Sequence, residues 1–193
     1  MPINHEYKLC YVHIPKTAGT SITNLFKFKQ SGHAKMSEIS KPENYLLFTV
    51  IRNPWDRFAS AFYYSSMKKN FWHDNINKKS PHPDYLTLKD LEFNEAIRKY
   101  YNKEIKLMSL HFQPMICYLN DDLSKLDLII RYENLSEDIS TLLKNLGLNK
   151  TLEVINSSNR KQDYKLLYEE DTKQMIYELY KNDIETFNYT FEK

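Results

Sequence analysis

Glycine is scarce in this chain, at 3 of 193 residues, and cysteine and tryptophan are scarcer, at 2 each. The glycines never fall into Gly-x-x-x-x-Gly-Lys-[Ser/Thr], which excludes the standard nucleotide loop. Cys10 and Cys117 lie in apolar contexts with no metal-ligand spacing, so both are expected to be buried free thiols, in a reducing compartment. No run of about 18 apolar residues occurs, and Met1–Glu6 lacks the pattern of a signal peptide. The expectation is a soluble cytoplasmic protein with no transmembrane segment. With 27 basic against 25 acidic side chains the net charge is only +2, which argues against nucleic acid as a partner and makes any anion site local. There is no internal repeat, and the length suits one domain spanning residues 1–193.

What is present centres on His13-Ile14-Pro15-Lys16-Thr17-Ala18-Gly19-Thr20-Ser21. Leu9, Cys10, Tyr11, Val12 and Ile14 have strand character, while apolar residues after Ser21 follow helical spacing. Strand, tight turn and helix N-terminus together form an anion cradle, because successive N–H groups and the helix dipole point into the turn. Gly19 permits close approach, Ala18 contributes backbone, Lys16 brings a full charge, and Thr17, Thr20 and Ser21 bring hydroxyls. A phosphate or sulfate is the natural occupant. The helix is expected to run to about Lys29, with Gly32 as its C-cap.

The most apolar run, Tyr45 to Ile51, predicts a buried central strand parallel to the first. It leads into Arg52-Asn53-Pro54-Trp55-Asp56-Arg57-Phe58-Ala59-Ser60-Ala61-Phe62-Tyr63-Tyr64, where Asn53 suits an N-cap, Pro54 the first helical position and Asp56 a capping box. Arg52 thus falls at the carboxyl end of a strand, where open α/β sheets place ligands, and Ser60 lies two turns into the helix. Pro-Lys-Thr-x-Gly-Thr-Ser resembles the 5′-phosphosulfate loop of sulfotransferases that use 3′-phosphoadenosine-5′-phosphosulfate. Arg-Asn-Pro-x-Asp-Arg-x-x-Ser-x-x-x-Tyr resembles their 3′-phosphate motif. The likeness is closest to the carbohydrate-modifying branch, in the manner of its soluble microbial members.

This resemblance implies a single P-loop-like α/β domain with a mainly parallel central sheet flanked by helices. It also implies sulfuryl transfer to a carbohydrate or small hydroxylated acceptor, with no metal required. Lys16 would face the bridging oxygen; Lys16, Thr17, Ala18, Gly19, Thr20, Ser21, Arg52 and Ser60 would bind the donor; and Arg160 and Lys161 would belong to a covering loop. His33, favoured over His111, is the candidate base for the acceptor hydroxyl. His13 reads as structural, and no context raises His5, His73 or His82. A small P-loop kinase needs a magnesium-holding acid at a strand end, whereas Asp127 begins its apolar run. A non-catalytic nucleotide- or glycan-binding module on the same fold is the other alternative. Residues 70–84 read as an acceptor-side loop. Further helices are expected from Thr87 to Tyr101, from a Ser136 cap to Gly147, and from Asp171 to Asn182, with a strand over Leu126–Ile130. Met115–Leu119 fits either a helix or a strand, and nothing in the sequence sets the oligomeric state or the acceptor.

Overall fold

A computed structural model describes residues 3–29, 32–69, 81–120, 123–153 and 162–192. They fall into two compact units, Met1–Arg52 with Pro114–Ser157, and Asn53–Gln113 with Ser158–Lys193. The strands are β1 (Ile3–Asn4), β2 (Leu9–Val12), β3 (Leu46–Ile51) and β4 (Leu128–Arg131). The helices are α1 (Gly19–Leu25), α2 (Pro54–Ser65), α3 (Tyr85–Leu88), α4 (Phe93–Tyr101), α5 (Ile116–Leu119), α6 (Leu135–Asn145), α7 (Glu170–Leu179) and α8 (Lys181–Thr186).

The first unit is a four-stranded sheet in the order β1-β2-β3-β4, with β1 antiparallel to β2 and the other pairs parallel. Tyr11 lies opposite Phe48 and Phe48 opposite Leu128, so the period of two puts Leu9, Tyr11, Phe48, Val50 and Ile130 on one face. Ile22 of α1, Phe26 just beyond it, and Ile139, Leu142 and Leu143 of α6 share a buried cluster with that face. Each such side chain contributes about 1.5–3 kcal/mol when fully buried, far more than any strand propensity. Cys10, Val12, Leu47, Thr49 and Ile51, on the opposite face, are buried as well. The result is the mainly parallel sheet flanked by helices that the sequence predicts. Asp127, just before β4, accepts from the Leu47 N–H at 2.7 Å and from Lys41 at 2.5 Å. Burial opposes its charge, but these two donors outweigh it and hold the carboxyl below its usual range. Asp127 is thus bound at the start of the strand, away from the end where a kinase would need it.

The second unit is helical. α2 buries Trp55, Phe58, Ala59 and Phe62 among Phe93, Ile97, Phe112, Ile176 and Tyr180. The Phe58 ring meets Phe112 edge-on at 5.4 Å and Phe93 at 6.1 Å. Trp55 donates its indole N–H to Lys173 O at 2.9 Å, and Tyr63 stacks on Phe93, so both rings serve the core. Asn53 caps α2 as predicted, accepting from the Trp55 N–H, with Pro54 in the first helical position.

Several boundaries differ from expectation. α1 begins at Gly19 and stops at Leu25, and its cap is Lys27 at φ 52 in place of Gly32. Phe28 N–H bonds Thr23 O at 3.0 Å and Lys27 N–H bonds Asn24 O at 3.3 Å, a Schellman pattern on a non-glycine residue. Gly147 closes α6 with the same pattern, as predicted, but the helix starts one residue before Ser136 with Asn134 as its cap. The helix expected over 87–101 divides into α3 and α4, because Glu92 is extended and aims Phe93 into the core that also takes Leu88. The final helix breaks at Tyr180, whose buried hydroxyl donates to Phe112 O at 2.6 Å. Met115–Leu119 resolves as the short helix α5.

The two thiols also part company. Cys10 is fully buried, and desolvation raises its pKa, but Cys117 is exposed, which corrects the expectation that both are buried. An aromatic disulfide reagent should therefore titrate one thiol in the folded protein and the second only after denaturation, and Cys117→Ser should remove the fast phase. Equal rates for both would contradict this packing.

Candidate active site

At the carboxyl end of β2 the chain turns through Pro15 to Ala18 and enters α1. Lys16 and Ala18 sit at φ 67 and φ 68, left-handed values that cost non-glycine residues roughly 1–2 kcal/mol each. Left-handed residues alternating in so short a turn gather successive backbone N–H groups on one side, the concavity that binds anions. Thr17 is fully buried, and its hydroxyl donates back to Ile14 O at 2.9 Å. Its offering to a ligand is therefore its backbone N–H. Ser21 is buried in the first turn of α1, and Thr20 is half-buried beside it.

Gly19 is required by close approach. A Cβ placed there would stand 1.7 Å from His13 Nε2. His13 is held by a 5.5 Å stack on Tyr11 and by the His33 ring, 4.3 Å away. Burial, followed by the neighbouring His33, pushes the His13 pKa down to about 3, so its imidazole is neutral. His13 packs at the base of the turn, against Tyr11, His33 and the backbone of Gly19.

Arg52, at the end of β3, is 6 % exposed. Its guanidinium donates from one terminal nitrogen to Lys16 O at 3.1 Å and lies 3.8 Å over the Tyr132 ring. Ile51 pairs with Arg131, so Arg52 and Tyr132 are the next residues out at the same end of two parallel strands. Tyr132 was missed because register, which brings it beneath Arg52, is not written in either strand alone. His33 places Nδ1 3.1 Å from His13 O. A carbonyl only accepts, so Nδ1 carries the proton and the lone pair of neutral His33 is on Nε2. Lys16, Thr17, Gly19, Arg52 and His33 are thus brought together within the first unit.

Ser60 and His111 belong to the second unit. Ser60 is buried on α2, next in the same helix to the buried Arg57. His111 contacts His82 at 3.0 Å, and His82 in turn accepts from the Asp84 N–H at 3.2 Å. His82, given no weight by the sequence, is 2 % exposed and Asp84 1 %. Arg160, Lys161 and His73 lie outside the described residues.

The sequence profile of the sulfotransferase family matches residues 1–190. The chain belongs to that family. Its mainly parallel sheet with flanking helices is the P-loop-like arrangement that the sulfotransferase family implies. An uncharacterized protein of Archaeoglobus fulgidus is similar too, at 29% identity over 113 residues, covering 58% of this sulfotransferase and 76% of the archaeal chain. No solved structure matches. Among the described residues, no helix is long and apolar enough to cross a membrane.

Two outcomes follow from this geometry. Gly19→Ala should destabilise the protein by about 1–3 kcal/mol in denaturant unfolding, the cost of overpacking, and His13→Ala in the same chain should recover much of that loss. An unchanged midpoint for Gly19→Ala would mean that the His13 ring is not fixed where it stands. The lowered His13 pKa makes the folded state bind fewer protons than the unfolded one. Stability should hold above about pH 6.5 and fall as pH drops toward about 3, and His13→Gln should flatten that slope in urea midpoints.

Proposed function

We propose that this sulfotransferase moves a sulfuryl group from 3′-phosphoadenosine-5′-phosphosulfate to a hydroxyl of a carbohydrate-like acceptor. The observation that supports the reading most is the left-handed turn at Lys16 and Ala18, tied to the guanidinium of Arg52 at the end of the parallel strands. N–H groups from Thr17 to Ser21 and the Lys16 ammonium suit a 5′-phosphosulfate. The motif match assigns the 3′-phosphate to Arg52 and Ser60, and a covering role to Arg160 and Lys161. The family match runs through both compact units, which supports one functional domain over residues 1–193.

The transfer breaks the bond from sulfur to the phosphate oxygen and forms one from sulfur to the acceptor oxygen. Positioning and charge stabilisation carry such a displacement, so no metal is called for. Lys16 neutralises charge that gathers on the bridging oxygen as it leaves. The acceptor proton goes to His33, whose Nε2 holds the lone pair because Nδ1–H is committed to His13 O. His111 is the other candidate, and its Nδ1 meets the His82 imidazole, where that of His33 meets a carbonyl.

Calorimetric titration of 3′-phosphoadenosine-5′-phosphate into the full chain without metal should show binding that Arg52→Ala weakens by about 1.5–3 kcal/mol, the range for charged hydrogen bonds. A folded wild-type protein that ignores the nucleotide would overturn the donor assignment. With an acceptor found by screening hydroxylated glycans, His33→Gln should lower turnover roughly 10²- to 10⁴-fold while nucleotide affinity is kept. Full turnover in that variant would transfer the base role away from His33.

A further inference from the structure

Residues 190–192 belong to the second unit and to none of its helices, yet three successive carbonyls of this segment each accept from a side chain. Asn53 Nδ2 donates to Thr190 O at 2.8 Å, the Tyr164 hydroxyl to Phe191 O at 2.5 Å, and Lys165 Nζ to Glu192 O at 2.9 Å. Lys165 also pairs with the Glu192 carboxylate at 3.0 Å. An irregular backbone is thereby held by donors from two other places, the cap of α2 and the turn at residues 164–166 ahead of α7.

The Phe191 side chain fills a box in the same unit. The rings of Trp55, Tyr164 and Tyr168 each stand 5.6 Å from it, at 90°, 75° and 90°, the edge-to-face geometry that aromatic quadrupoles favour. Lys173 Nζ lies 4.6 Å over the Phe191 ring. The walls are tied to one another through α2. Trp55, its second residue, donates its indole N–H to Lys173 O at 2.9 Å, and the Tyr168 hydroxyl donates to Trp55 O at 2.8 Å.

Asn53 links this box to the start of the helix. It is 1 % exposed and uses both ends of its amide, Oδ1 accepting from the Trp55 N–H at 3.1 Å while Nδ2 goes to Thr190 O. A helix cap needs only the first of these bonds. Among serine, threonine, aspartate and asparagine, only asparagine accepts at one atom and donates from another, which is what a cap aimed by a second segment requires.

We propose that Phe191 is a positioning residue for α2: seated in its aromatic box, it holds residues 190–192 as a strap that fixes the Asn53 cap and the first turn of the helix on which Ser60 is buried. The anchoring stands on this geometry, and its bearing on the 3′-phosphate rests on the sulfuryl-transfer reading.

Hydrogen exchange and nucleotide titration on the full chain test the two parts. In Phe191→Ala the Trp55 and Arg57 amides, which bond Asn53 Oδ1 and Asn53 O, should exchange roughly tenfold faster or more, while the amides of Ile97 to Tyr101 in α4 keep their rates. The same variant should bind 3′-phosphoadenosine-5′-phosphate roughly 3- to 30-fold more weakly, the range over which contacting side chains couple. Phe191→Tyr, which returns a ring to the box, should restore both. Phe191→Leu, a smaller change that serves if the alanine variant does not fold, should move both readouts in the direction of alanine. Unchanged Trp55 and Arg57 amides, or acceleration spread evenly through α4, would overturn the strap. Wild-type nucleotide affinity in a variant whose α2 amides are loosened would overturn the positioning role. A wild-type protein that ignores the nucleotide would sink the donor assignment instead, and exchange would still decide the strap.

Discussion

The hydrogen bond from the Arg52 guanidinium to Lys16 O ties the end of the central strand to the turn that follows its neighbour. Without a support of this kind, two non-glycine residues at positive φ would relax toward ordinary backbone, since each costs about 1–2 kcal/mol where it is. Thr17 holds the turn from below through Ile14 O, and His13 fills the space that a side chain at position 19 would need. The cation that braces the turn is also one an anion would seek. In the proposed function, binding and preorganisation therefore draw on the same side chain, with Tyr132 stacked against the guanidinium.

Two histidines here, His33 and His111, differ in the partner at Nδ1. In His33 that partner is a carbonyl, which puts a proton on Nδ1. In His111 it is another imidazole, that of His82, whose Nδ1 accepts from the Asp84 backbone N–H. Residue type and exposure alone would treat the two as equals.

Local patterns were legible from the sequence, and long-range ones were not. The turn, the central strand, the Asn53-Pro54 helix start and the Gly147 stop each rest on a few neighbouring residues whose chemistry is self-contained. Lys27 escaped notice as a helix cap because lysine has no preference for positive φ, and only the Thr23 and Asn24 carbonyls show it in that role. Cys117 reads as apolar among Ile116, Tyr118 and Leu119, yet on a one-turn helix those three turn inward and leave it outside. His82 sits in a polar run that looks like loop, and its burial depends on the return of Met108 and Ser109 to Asp84. Tyr132 depends in the same way on strand register.

The route of the chain through its sheet has a consequence during synthesis. β3 pairs on one side with β2, but its other edge waits for β4, whose latch joins Leu47 to Asp127 across 80 residues. Closing a loop of that length costs about 4 kcal/mol as an ideal chain, and a ribosome adding roughly 5–20 residues per second leaves the edge open for about 4–16 s. The exposed strand is Leu-Leu-Phe-Thr-Val-Ile, apolar and β-prone with no charge to deter a neighbour. The time the ribosome takes to reach Asp127 is thus the time for which this strand edge stands without its native neighbour.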